Sequence, residues 1–110
     1  MDCEYHYRLT RRAEKELDDI LDYIGNELDN AKAAAKLMEE LDKCIERLCI
    51  FPESGKLVFD EYLPGIHVRR KIVGKYILFY QVLKEEKVIR ILRIVYGRRD
   101  MDEVLKHVNS

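Results

Sequence analysis

The chain reads as one α+β domain, a small antiparallel β-sheet packed on an N-terminal helical hairpin, in the order β-α-α-β-β-β. Three observations lead there. Residues ahead of Thr10 alternate apolar and polar side chains, the stretch to about Ile50 carries apolar residues in steps of three and four, and three strand-like runs follow at hairpin distances. A length of 110 residues fits a single domain, residues 1–110. With 47% apolar and 37% charged residues the chain has enough material for a core and is not of disordered composition.

The first element is Glu4–Leu9, where Tyr5, Tyr7 and Leu9 alternate with His6 and Arg8, the pattern of a short strand with one buried face. Thr10 offers a side-chain oxygen to start a helix. From Arg11 to about Leu28 the apolar stripe is Ala13, Leu17, Ile20, Leu21, Ile24 and Leu28, with Glu14, Lys15, Asp18, Asp19 and Asp22 facing water. Asp29-Asn30 breaks it and caps a second helix, whose stripe is Ala34, Leu37, Met38, Leu41, Ile45 and Leu48; Pro52 ends it. So short a link makes the two helices an antiparallel hairpin whose stripes must cover something.

What they cover comes next. Phe51–Gly65 holds both prolines and reads as a loop, with a short extended piece at Lys56–Phe59. Strands are expected at Ile66–Val73, Tyr76–Leu83 and Val88–Tyr96, separated by Gly74-Lys75 and by Lys84–Lys87. The middle run is apolar on both faces, as a central strand requires, while its neighbours interleave arginines with Ile, Leu and Val. Asp100–Asn109 is expected to add a helical turn or two.

Net charge is only −1, but the charges are unevenly placed. His67–Arg99 holds ten basic residues against Glu85 and Glu86, a net of +8; the rest, with ten basic and nineteen acidic residues, carries −9. Such a chain can turn a positive surface toward a polyanion or an acidic partner, and the basic residues are expected on the sheet face away from the helices or on its rim. Cys3, Cys44 and Cys49 are odd in number and irregularly spaced, so reduced cysteines used as small apolar residues are expected, with no metal or disulfide framework. No run approaches the roughly 20 apolar residues of a membrane span, and Met1–Thr10 has no signal-peptide core, so a cytoplasmic location is expected.

Five segments then carry a family resemblance: Tyr7–Ala13, Glu16–Ile20, Phe51-Pro52-Glu53-Ser54-Gly55, Arg69–Val82 and Ile91–Asp100. In this order, over about residues 5–105, the chain resembles the RelE/ParE superfamily, the toxic halves of type II toxin–antitoxin (plasmid stabilisation) modules. The resemblance implies a small antiparallel sheet on a helical hairpin and a growth-arresting protein neutralised by a cognate antitoxin. It implies no cofactor or metal, and contact with operator DNA only indirectly, through the antitoxin. ParE-like members block DNA gyrase without hydrolysis of their own; RelE-like members cut messenger RNA on the ribosome.

Cleavage through a 2′-hydroxyl needs a general base, a cation for the phosphorane charge and an acid for the leaving oxygen. For the RelE-like reading, Arg69, Lys71 and Arg99 match the basic catalytic positions. The chain departs from that pattern at Ile77, where an arginine would stand, and at Leu105, where a tyrosine would. An aliphatic residue at 77 and the pair Arg69-Arg70 match the ParE-like branch, which is the favoured reading; the endoribonuclease is the alternative. Arg69, Arg70, Arg93, Arg98 and Arg99 are the expected target-binding residues.

Strand alternation sends Arg69 and Lys71 to one face and Arg70 to the other. Arg90 and Arg93 lie within an apolar strand, so a buried pair with Asp60, Glu61 or an aspartate of the first helix competes with target contact. Tyr76 and Tyr80 share a face and are expected in core or groove. An apolar groove beside the sheet is expected to accept a partly acidic antitoxin helix or strand.

Overall fold

The computed structural model describes residues 5–58 and 67–97. Asp60, Glu61, Arg98, Arg99 and the expected C-terminal turns at 100–109 lie outside them. The elements run β1 (His6–Leu9), α1 (Arg11–Asp22), α2 (Ala31–Ile50), β2 (Lys56–Val58), β3 (Val68–Val73), β4 (Tyr76–Leu83) and β5 (Val88–Tyr96). The α+β class and the helical hairpin agree with the sequence reading, and the short extended piece is a true strand.

The helix starts are set by the expected side chains. Thr10 Oγ1 accepts the Ala13 N–H at 3.1 Å, and the Asn30 side-chain oxygen accepts that of Ala33 at 3.0 Å. Between the helices α1 widens into a single π-helical turn, Tyr23–Glu27, and Asp29 takes φ 48° to reverse the chain. The β3–β4 connection has two residues, and Gly74 at φ 59° supplies the positive dihedral that a tight hairpin demands at its first position.

The sheet order is β1-β5-β4-β3-β2. Four strands are antiparallel to their neighbours, but β1 runs parallel to β5, pairing His6–Leu9 with Val88–Ile91. The sheet is therefore mixed, not purely antiparallel. The helical hairpin and three further strands separate β1 from β5, ample chain for a parallel return.

One face of the sheet carries the helices. Leu41, Leu48, Leu78, Tyr80, Ile89 and Ile91 are at most 1% exposed between the two layers, and each large aliphatic side chain so removed from water contributes about 1.5–3 kcal/mol. The reverse face is apolar at its centre, where Val68, Ile77, Phe79, Leu92 and Val95 form a second buried cluster. Among the described residues the basic side chains gather mainly at the rims, with Arg70 on the reverse face.

At the end of β1 the sheet edge changes hands. The Thr10 N–H donates to the Ile91 carbonyl and its hydroxyl to that of Leu92, both at 3.0 Å. Beyond the register shift opposite Phe79/Tyr80, the Ile94 N–H donates to Glu16 at 3.2 Å. The same carboxylate accepts from Arg93 Nε at 3.1 Å and Nη2 at 2.6 Å. Arg93 is 2% exposed. The buried arginine pair expected in β5 therefore exists, and among the described residues its partner is a glutamate of α1, Glu16, where an aspartate of that helix was expected. Glu16→Ala is expected to cost about 3–5 kcal/mol, because it strips a buried cation and a strand N–H of one acceptor. The paired change Glu16→Leu with Arg93→Met is expected to recover most of that. Urea unfolding of the single and double variants measures both; equal losses would place the worth of the pair elsewhere.

Candidate functional site

The site is assembled where α2 ends. Pro52 cannot continue the helix, and Pro52–Ser54 form one 3-10 turn. Tyr80, wholly buried on β4, holds this turn: its hydroxyl donates to the Pro52 carbonyl at 2.8 Å and accepts the Gly55 N–H at 2.9 Å. Its cross-strand neighbour Arg69 donates through Nη1 to the carbonyls of Glu53 at 3.2 Å and Gly55 at 2.8 Å. Gly55 must be glycine, since a Cβ there would lie 2.7 Å from the Tyr80 ring and 2.8 Å from the Arg70 carbonyl. Burial raises the Tyr80 pKa, and the Gly55 hydrogen bond and the Arg69 charge pull it partly back. On the outside, Lys84 and Glu53 pair at 2.7 Å; their hydrogen bond lowers the Glu53 pKa and raises that of Lys84.

Because β2 pairs only with Val68–Arg70, the outer edge of Lys71–Val73 has no strand beside it among the described residues. The C-terminal half of α2 runs along this edge, leaving an open groove of about 910 Å³. Its mouth is apolar: Ile72 is 70% exposed and Phe51 58%, with Ile50 beside them. Lys43, Arg47 and Lys71 rim it together with Glu40 and Glu46. Cys44 lies in its wall, where burial pushes the thiol pKa up and Lys71 and Arg47 pull it partly back. A thiol held protonated in this way is apolar lining, not a nucleophile.

The expected site residues separate. Arg69 and Lys71 share the helix-side face as alternation requires, but Arg69 is engaged with the turn and Lys71 with the groove. Arg70, half-buried, points to the reverse face, and Arg98 and Arg99 lie outside the described residues. Arg93, expected at a target surface, offers a partner almost none, because it is enclosed with Glu16. Ile77, at the position where a RelE-like enzyme carries arginine, is buried in the reverse-face cluster. Tyr76 stacks edge-on to Tyr96 at 5.8 Å. Among the described residues no cluster of His, Cys, Asp and Glu could hold a metal ion, and no helix is long and apolar enough to cross a membrane.

Two features escaped the sequence reading. Glu16 lies three residues after Ala13 and four before Ile20, so a carboxylate sits within the apolar stripe, the signal of a buried charge. Ile50 and Phe51 fall off the α2 stripe just before Pro52, which marks them as apolar residues the core does not take.

The shape of this molecule is found in known proteins. The chain has a TM-score of 0.65 and 25% identity to a protein of the chromosomal ParDE toxin–antitoxin system of P. aeruginosa, covering 86% of this chain and 98% of that one. A chain of the RelBE2 toxin–antitoxin complex of Mycobacterium tuberculosis has a TM-score of 0.57 at 24% identity, over 84% of this chain and 98% of that one. The fold is thus that of the RelE/ParE superfamily toxins. Toxin ParE1 of Caulobacter vibrioides is 36% identical over 86 residues, 78% of this chain and 85% of that protein. The family of the ParE toxin of the type II toxin–antitoxin system parDE matches residues 7–101, and the chain belongs to that family.

Tyr80→Phe is expected to cost about 1–3 kcal/mol, since the Gly55 N–H and Pro52 carbonyl lose a buried partner. The raised tyrosine pKa also sets a direction in pH. Its stabilising share is whole below the unfolded tyrosine value, near ~10, and is lost as pH rises through the folded value. Denaturant midpoints at neutral and alkaline pH should therefore converge for Tyr80→Phe and the parent as pH increases; parallel curves would contradict this assignment.

Proposed function

We propose that this toxin arrests growth by binding DNA gyrase and stalling it, without hydrolytic chemistry of its own, and that a cognate antitoxin neutralises it. The observation that carries the reading is the kinship with ParE toxins over residues 7–101. The residue arrangement supports it against the nuclease. Of the three basic residues matching a RelE-like set, Arg69 is held by two backbone carbonyls, and Ile77 is packed among apolar side chains. A guanidinium already committed to two carbonyls is a poor phosphorane clamp, because its donors would have to leave the turn that they hold together. The ribosome-dependent endoribonuclease keeps Lys71, whose ammonium is at the open groove, and Arg99.

The antitoxin is placed in the groove between α2 and the β3 edge. A strand added along Lys71–Val73 would receive the open backbone groups, Ile72 and Phe51 would provide apolar anchors, and Lys43, Arg47 and Lys71 would favour an acidic segment. The target surface is assigned to the C-terminal arginines Arg98 and Arg99, with Arg70 on the reverse side.

Gyrase supercoiling with the purified chain tests the reading. Inhibition that is relieved by equimolar antitoxin is expected, as is an early fall in DNA synthesis on induction in cells. Intact supercoiling together with cleaved transcripts would transfer the chain to the nuclease reading. Arg98→Ala with Arg99→Ala is expected to reduce toxicity with the melting temperature unchanged. Ile72→Glu is expected to weaken antitoxin binding at least tenfold while toxicity persists; undiminished affinity would move the antitoxin off this groove.

A further inference from the structure

On the opposite rim of the sheet from the groove, β1, β5 and the start of α1 bring four arginines together around an open recess of about 370 Å³. Four arginines line it, Arg8, Arg11, Arg12 and Arg90, together with Thr10 and the aliphatic Leu9, Leu83 and Val88. In sequence they are far apart: Arg90 belongs to the basic segment, the other three to the acidic remainder. The parallel register joins them by setting Arg8 directly beside Arg90 on the neighbouring strand.

The arrangement is electrostatically unfavourable by itself. Like charges side by side across a strand pair repel. Arg11 is the first residue of α1, at the positive end of its dipole, where a cation is disfavoured. No carboxylate is among the described residues lining the recess, and no salt bridge forms to Arg8, Arg11 or Arg90 among them. A multiply charged anion in the recess would relieve both penalties at once.

The chemistry narrows the occupant. Among the described residues none of the large exposed apolar side chains lines the recess, and Leu9, Leu83 and Val88 are at least partly buried there, so it lacks the protruding aromatic anchors by which a protein partner is gripped. No aromatic ring is among the described residues that line it either, so they offer no platform for the splayed bases of a single strand. What remains is a dense row of phosphates with its bases turned inward. We infer that the Arg8–Arg11–Arg90 recess is a sequence-independent contact for the phosphate backbone of duplex DNA. This gives the chain a direct hold on DNA, where its family resemblance implies only an indirect one through the antitoxin, and it does not rest on which cellular target the toxin stalls.

The test is titration of a labelled 20-base-pair duplex of arbitrary sequence with the purified full chain over about 25–200 mM KCl. Each phosphate contact adds about 0.9 to the slope of log affinity against log salt, so Arg8→Gln with Arg90→Gln should flatten the slope by about 2. Affinity at the low-salt end should fall tenfold or more. The melting temperature of that variant should equal or exceed the parent's, because a repulsion has been removed; a residue needed only for folding would lower it. Lys32→Gln with Lys36→Gln, which removes the same charge from exposed sites on α2, should leave the slope in place. An unchanged slope in the arginine variant, or an equal change in the lysine variant, overturns the inference. Tighter binding to single-stranded DNA or to polyglutamate than to the duplex overturns it as well.

Discussion

The carboxylate of Glu16 is the junction on which the layers of this protein depend. β1 covers only the first four residues of β5, and the five that follow would present an open edge beneath the first helix. Thr10 and Glu16, one at the cap of α1 and one inside its first turns, take over the hydrogen bonding where β1 stops. Glu16 also neutralises Arg93, so the register shift in β5, the exit of β1 and the seat of α1 are fixed by one side chain. An apolar residue at 16 could pack, but it could not receive the Ile94 N–H. The parallel strand therefore creates the need for a buried acid, and the buried acid creates the need for a buried arginine.

A second latch controls the other side of the sheet. Tyr80 and Arg69 hold the turn after α2 through four backbone contacts, and this determines where β2 can begin. Since β2 is three residues long and ends against Val68, half of β3 is left with an open edge. The groove follows from that shortness. Its apolar mouth is not a failure of burial, for Ile50 and Phe51 fall off the α2 stripe that turns Leu48 and Cys49 inward. A protein with a paired β3 edge would have neither the groove nor the exposed Ile72.

Periodicity and caps carried most of the fold into view: Thr10 and Asn30 begin helices as their oxygens suggest, and the hairpin breaks lie where Gly74 and Lys84–Lys87 stand. The direction of β1 was not legible, because strand pattern is the same for parallel and antiparallel neighbours. The site was legible only in composition. Basic residues cluster in the last third of the sequence, yet strand alternation and the register shift scatter them to the turn, the groove, the reverse face and the interior. Arg93 shows why: a residue type that suits target binding suits burial equally well once a carboxylate enters the helix stripe.

Charge counted along the chain and charge gathered in space are different quantities here. The +8 segment suggests a positive sheet face, but the reverse face is apolar at its centre, and among the described residues the basic clusters lie at the rims. One rim draws Lys71 toward Lys43 and Arg47 of α2; the other draws Arg90 toward Arg8, Arg11 and Arg12 from the net-acidic part of the chain. Five strands put these rims at opposite ends of the sheet order, so the same small domain can be held by an acidic polypeptide on one side while the other stays open to phosphate. The separation is a consequence of topology: β1 is inserted beside β5 and not beside β2, and that single choice keeps the two basic surfaces from competing for one ligand.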